Sequence, residues 1–174
     1  MFSFAVLLFF AVTGLTLNHA EWFNGQERTT QIQGKVDPKW VAKEVDKLEI
    51  VEYLRRTHRI TGALHDFRVD DTQCSVSFKG PGYAADASID RLTGAYDLTE
   101  TRMGFWAVIN DLHKGRDSGA VWAFIIDFCA VLMTLVSLTG FVLIFFLLKR
   151  RSSGLLIFAA GIVVFMVAWW KWVP

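Results

Sequence analysis

Four histidines, His19, His58, His65 and His113, are the side chains in these 174 residues best suited to metal or redox chemistry. Two of them stand at the ends of apolar runs. His19 closes the first run, and His113 lies in NDLHKGRDSG, residues 110–119, just before a second run begins. Two neutral imidazoles from different helices are what a six-coordinate haem b iron takes, and helix-bundle cores are where such sites are built. That pattern makes His19 and His113 candidate axial ligands, with Lys114 and Arg116 placed to meet porphyrin carboxylates. The same residues also suit a plainer role, as amphipathic side chains in a headgroup layer with the two cations against lipid phosphates. The residues alone leave both roles open. His58 ends a charged helical stretch with Arg55, Arg56 and Arg59, where a cation complements the helix dipole. His65 sits on a strand beside Asp66, so these two histidines read as structural or solvated.

Asp127 is the single charge within residues 121–148. An acid inside a membrane span is costly, which makes it a functional candidate. Its helical face reads Ala120, Ala123, Asp127, Ala130, Thr134, Ser137, small and polar residues of the kind tight helix packing uses. We therefore expect Asp127 to be a buried hydrogen-bond partner of the His113 region rather than a proton relay. Cys74 and Cys129 fall in different segments, so no disulfide is expected. No HExxH or serine–histidine motif and no glycine-rich phosphate loop occurs, which leaves protease and nucleotide chemistry without support.

The elements that must hold these residues are set by three apolar runs. The chain is 53% hydrophobic, concentrated in residues 1–17, 121–148 and 154–170. A span needs roughly 20 apolar residues to cross a ~30 Å hydrocarbon layer. The second run meets this alone; the first and third meet it with their interfacial flanks. The first run lacks a basic start and a small-x-small cleavage pattern, so it reads as an uncleaved helix, short at its beginning. Lys149-Arg150-Arg151 is the only basic cluster beside a span, which puts that turn in the cytoplasm and residues 20–119 outside a bacterial cytoplasmic membrane. Trp22, Trp122, Trp169, Trp170 and Trp172 then form a belt on the outer edge. The segments are a first span at 1–19, an external domain at 20–102 and an interfacial helix and hinge at 103–119. A second span at 120–148, a turn at 149–153 and a third span at 154–172 complete the chain.

Residues 20–119 hold 14 Lys+Arg against 16 Asp+Glu, a net of −2 with signs interspersed, so a nucleic-acid partner is not expected. Asp37 and Pro38 open a predicted helix through His58 whose buried face is Val41, Val45, Leu48 and Val51. Alternating stretches at 63–70, 73–80, 82–90 and 95–102 predict four antiparallel strands, with turns at Asp70-Asp71, Gly80-Pro81-Gly82 and residues 90–94. Residues 103–113 predict an amphipathic helix that lays Phe105, Trp106 and Ile109 against the bilayer surface.

A helix, short strands and an Asp-x-x-Thr-Gly turn at residues 90–94 resemble a PepSY domain. With Leu112-His113-Lys114-Gly115 leading into a span that carries Asp127, and Leu15-Thr16-Leu17-Asn18-His19 closing the first helix, the whole chain is similar to the PepSY-associated transmembrane family, in its small three-helix branch. One departure is that family members begin with a histidine-bearing basic stretch, whereas this sequence starts at Met1-Phe2-Ser3. The resemblance implies three membrane helices with a small extracytoplasmic α+β PepSY-like domain. It further implies a haem b electron-transfer subunit linked to iron-chelate reduction or an extracytoplasmic redox partner, with His19 and His113 on the haem iron. A non-redox module that binds, restrains or assembles a partner protein is the alternative. Residues 90–95 also resemble a covalent flavin attachment sequence, but Tyr96 occupies the position of the modified Thr or Ser, so no covalent flavin is expected.

Overall fold

Residues 1–23, 26–42, 45–146 and 151–173 are described by the computed structural model. They divide into two compact units, residues 7–126 and residues 1–6 with 127–174. The first unit is built on five strands: β1 (Arg28–Lys35), β2 (Ala63–Val69), β3 (Gln73–Gly80), β4 (Tyr83–Asp90) and β5 (Ala95–Arg102). They form one antiparallel sheet in the order β1-β5-β4-β3-β2. The four expected strands are present, and β1 is an addition to them. Its sequence, RTTQIQGK, offers only Ile32 to the core, so it lacks the apolar alternation that marks the others.

The helix packed on this sheet starts later than the sequence suggested. Asp37 does cap a turn over Pro38, accepting a hydrogen bond from the Lys39 N–H, but that turn is a 3-10 segment ending at Trp40. Residues 43 and 44 lie outside the described residues. The α-helix α2 (Lys47–His58) is opened by Asp46, whose carboxylate accepts from the Glu49 N–H at 3.2 Å. Both aspartates satisfy an otherwise unpaired amide, so capping does not choose between them; the packing of Ile50 and Leu54 on the sheet does. The buried face moves with the start, to Ile50, Val51 and Leu54, while Leu48 is exposed. Phe78, Ile89 and Leu98 of the sheet complete the core with them.

The turn between β4 and β5 organises one end of the sheet. Asp90 accepts from the amides of Leu92 and Thr93 and from the Thr93 hydroxyl, at 2.8–2.9 Å, which keeps its carboxyl below the usual range. Gly94 takes φ +69, and a Cβ there would lie 2.7 Å from the Val36 carbonyl. Arg91 donates to the carbonyls of Val41, Ala42 and Asp70, fastening this turn to two neighbouring loops.

Helices make up the remainder. α1 (Phe2–Asn18) has 17 residues, α3 (Phe105–Lys114) has 10, α4 (Gly119–Phe146) has 28 and α5 (Arg151–Trp172) has 22. At 1.5 Å per residue α4 and α5 reach about 42 and 33 Å, enough to cross a bilayer, and α1 about 26 Å. α4 and α5 have mean hydropathy 2.5 and 2.2 and, among the described residues, are the two helices long and apolar enough to span. They touch through Phe141 and Phe158, whose rings are 4.9 Å apart, and through Gly154, where a Cβ would come within 3.0 Å of Ile144. Lys149 and Arg150, on which the expected orientation rests, lie outside the described residues.

Asp127 differs from expectation. It is exposed on α4 and has no hydrogen-bond partner among the described residues. The small-residue stripe around it is exposed too at Ala123, Ala130 and Thr134. Cys74 and Cys129 are both buried free thiols.

Candidate functional site

The segment 104–117 carries polar contacts to α1, to the β3–β4 hairpin, to β2 and to α4. Gly104 precedes α3 in extended conformation, and Gly115 ends it at φ +68, its N–H returning to the carbonyls of Asp111 and Leu112. A left-handed residue there is the usual way to close a helix, and glycine adopts it without a Cβ penalty. The short helix so defined presents two pairs of residues at a spacing of three, Val108 with Asp111 and Asn110 with His113.

The first pair meets the β3–β4 hairpin. Gly82 takes φ +64, and a Cβ there would fall 2.5 Å from Val108 Cγ2. Its amide donates to Asp111 Oδ2 at 2.9 Å, and its carbonyl accepts from the Met103 N–H at 2.8 Å. Asp111 is buried, and its other oxygen accepts from the Arg116 guanidinium at 3.3 Å. Arg116 also lies 3.8 Å from Asp117, which in turn sits 3.9 Å from His65 Nδ1 on β2. A carboxylate so buried needs both partners, because an unpaired charge at such a junction would cost several kcal/mol.

The second pair meets α1. Thr13 and Thr16, both buried, run antiparallel to it: Thr16 donates to Asn110 Oδ1 at 2.8 Å, and Thr13 Oγ1 lies 2.5 Å from His113 Nδ1. The direction of the Thr13–His113 bond follows from proton accounting. Thr13 has one hydroxyl proton, and the Phe9 carbonyl 2.6 Å away receives it. With the proton so assigned, Nδ1 of His113 carries the hydrogen and donates, which leaves the lone pair on Nε2; the opposite tautomer would have Thr13 donate to Nδ1 instead. Burial, and secondarily the charge of Lys114, push the His113 pKa below its ordinary value and keep the ring neutral. Phe10 packs edge-on against the imidazole at 5.0 Å. Trp122, at the start of α4, donates its indole N–H to the Leu112 carbonyl at 2.7 Å.

His19 has other company. It stacks on Trp22 at 4.0 Å with the rings 7° from parallel, and its Nδ1 lies 3.5 Å from Glu21. It follows Thr13 by six residues, about 9 Å of helix rise and roughly 120° of rotation. With Nδ1 bonded to Thr13, His113 has its Nε2 available for one axial position, and His19 shares no partner or contact with it among the described residues. His19 meets Trp22 and Glu21, and His113 meets Thr13 and Phe10. Lys114 is exposed, whereas Arg116 is committed to Asp111 and Asp117 rather than free for a ligand. His58, ending α2, hydrogen-bonds the Tyr96 hydroxyl at 2.7 Å and is structural. Among the described residues no three His, Cys, Asp or Glu side chains converge as a metal-binding group.

Thr13, Asn110 and Asp111 are the residues that sequence reasoning missed. The threonines were legible as polar breaks in an apolar run, and Asn110–His113 as a polar pair at helical spacing; nothing local says that they meet.

Membrane-capable helices joined by a hinge helix to a five-stranded sheet define a membrane protein with a polar sheet domain. A sequence model of the PepSY_TM-like family matches residues 1–174, so the chain belongs to that family. Searches of curated proteins and of solved structures gave no match.

Proposed function

We propose that this protein is a non-redox membrane module whose sheet domain binds, restrains or assembles a partner protein outside the cytoplasmic membrane. The reading takes α1, α4 and α5 as three spans and the sheet with α2 as an extracytoplasmic α+β domain. The observation that carries it is the set of contacts at the hinge, in which the Thr13–His113 bond joins α3 to α1. With Asn110–Thr16, Asp111–Gly82 and Arg116–Asp111, this makes the segment a coupling between sheet and helix. The face of the sheet away from α2 is open, forming a groove of about 500 Å³ lined by Asp66, Asp86, Asp97, Ser75, Ser77 and Ser88. Such a face suits a polar or basic segment of a partner.

A haem b electron-transfer subunit is the second reading, favoured by the lone pair on His113 Nε2. A bound haem would supply one-electron chemistry; His113 would hold it, and Thr13 would fix the tautomer of that ligand. The second axial ligand would come from outside the His113 contacts described above. The two readings part on one experiment. The full chain, purified from membranes grown with haem precursor, is examined by reduced-minus-oxidised absorbance, and a photo-crosslinker placed at Ser88 reports partner capture. The binding reading expects no Soret band, and crosslinks to one defined protein that persist in His19→Ala/His113→Ala. A Soret band that disappears in His113→Ala overturns it in favour of haem.

A further inference from the structure

β1 and β2 close the sheet at its two ends, and only β2 is guarded against pairing. β2 carries a register shift between Leu64 and Asp66, the Arg68–Asp66 ion pair at 2.7 Å, and the His65–Asp117 contact. Bulges and charges of this kind are how sheet edges avoid adding strands. β1 has none of them. It runs eight residues in unbroken register against β5, and residues 29–33 are uncharged, lack proline and are mostly exposed.

Two backbone bonds fix which groups face outward. Val36 N–H donates to the Gly94 carbonyl at 2.9 Å, which turns the even-numbered residues of β1 toward β5. Met103 N–H donates to the Gly82 carbonyl at 2.8 Å, which turns the odd-numbered residues of β5 toward β4 and leaves its even ones for β1, in agreement. Odd-numbered residues of β1 therefore offer both N–H and C=O to the open side. Among the described residues, the one group met there is the Tyr53 hydroxyl, on the Lys35 carbonyl at 3.1 Å.

We propose that this edge pairs antiparallel with β1 of a second copy of the chain, with Gln31 opposite Gln31. A two-fold axis through a continuous sheet keeps each face on its own side, so odd residues meet odd residues. Centring on Gln31 sets Thr29 against Gln33 and, at both ends, Glu27 against Lys35 on one face. Opposite charges directly across strands stabilise such a pairing, and like charges oppose it. Moving the centre to Ile32 sets Thr29 against Lys35 and brings Glu27 against Asp37, so charge selects the Gln31 register. The odd-numbered side chains lie on the polar face, where Gln33 bonds Asp97 at 2.7 Å and Thr29 meets Thr101 at 3.4 Å. The two sheets would join into one of ten strands with that face continuous across both copies.

Cysteine scanning in the full chain, in its own membrane, tests this. Hydrogen-bonded antiparallel partners have Cα atoms about 5.5 Å apart, within disulfide reach. Gln31→Cys is expected to form an oxidant-dependent dimer, and Ile32→Cys is not. In detergent, the wild type is expected at twice the chain mass and Gln31→Pro at the single mass, since proline there removes only an outward N–H. Glu27→Lys is expected to weaken the dimer roughly tenfold, and Glu27→Lys/Lys35→Glu to restore it. No dimer at Gln31→Cys overturns the proposal, as does a dimer at Ile32→Cys instead. A mixed disulfide with a different protein overturns it in favour of a heterologous strand, and a Gln31→Pro variant of unchanged mass overturns it outright.

Discussion

Toward the β3–β4 hairpin α3 offers a carboxylate; toward α1 it offers an amide and an imidazole. The hairpin side closes around Asp111, with the Gly82 amide on one oxygen and the Arg116 guanidinium on the other. The α1 side uses Thr16–Asn110 and Thr13–His113, pairs in which no formal charge is needed. The difference follows from what each neighbour can supply. A hairpin tip has free backbone amides and lies beside loops rich in charge, so a buried carboxylate can be satisfied there. An apolar helix has its amides already bonded, and only hydroxyls are left to receive a partner. Hydrogen bonds between helices in an apolar setting average about 0.6 kcal/mol, well below the cost of stranding a buried charge. The hairpin joint should therefore be the rigid one and the α1 joint the adjustable one.

The largest expected effect breaks the hairpin joint at its backbone. Gly82→Ala must hold a Cβ at φ +64 against Val108, so we expect a loss of about 2–4 kcal/mol, from left-handed strain and overpacking together. Thermal unfolding of the detergent-solubilised chain measures it, and a loss below that of Thr13→Val would reverse the ranking of the two joints. Next comes Asp111→Ala, expected to cost about 2–3 kcal/mol by leaving the buried Gly82 amide without an acceptor and Arg116 without its closest anion. Asp111→Asn keeps an acceptor for the amide and should recover about half of that loss. If Asn proves as damaging as Ala, the Arg116 charge pair matters more than the amide bond.

The α1 joint calls for a subtler measurement. A double-mutant cycle on Thr13→Val and His113→Phe should give a coupling of about 0.5–1 kcal/mol. A value above that of the Asp111–Arg116 cycle would erase the contrast between the joints.

The sequence pattern carried the strands because β3, β4 and β5 alternate buried and exposed residues, as in QCSVSFKG. It missed β1 because an edge strand need bury only one side chain, here Ile32. It placed the start of α2 nine residues early because Asp37-Pro38 and Asp46-x-x-Glu49 are both good starts, and only packing of Ile50 and Leu54 on the sheet chooses between them. At the hinge, residue types were legible and pairings were not. His113 looked toward His19 because both stand at the ends of apolar runs; the fold also gives it Thr13, six residues before His19, through the way α3 lies on α1.

The smallest effect, and the one that most sharpens the comparison, is its pH dependence. The folded His113 has its pKa lowered by burial and by Lys114, from an ordinary value near 6.5. Between the two values the unfolded chain holds a proton that the folded chain does not, so stability rises with pH across that window. The contribution is fully present above about 6.5 and is lost as pH falls toward the folded pKa, below which the loss levels off. Asp90 also titrates low, but its window opens only below about 4, so the two do not overlap. Protonation adds the hydrogen at Nε2 and leaves the Nδ1–H bond to Thr13 in place, so the joint should weaken without opening. Comparing unfolding midpoints at about pH 5.5 and 7.5 should give a wild-type decline that His113→Gln lacks, with Asp111→Asn keeping it. Nitrogen-15 spectra of His113 should report the Nδ1–H tautomer at the higher pH. An Nε2–H tautomer would mean that Thr13 donates to the ring, and acid would then break the joint rather than loosen it.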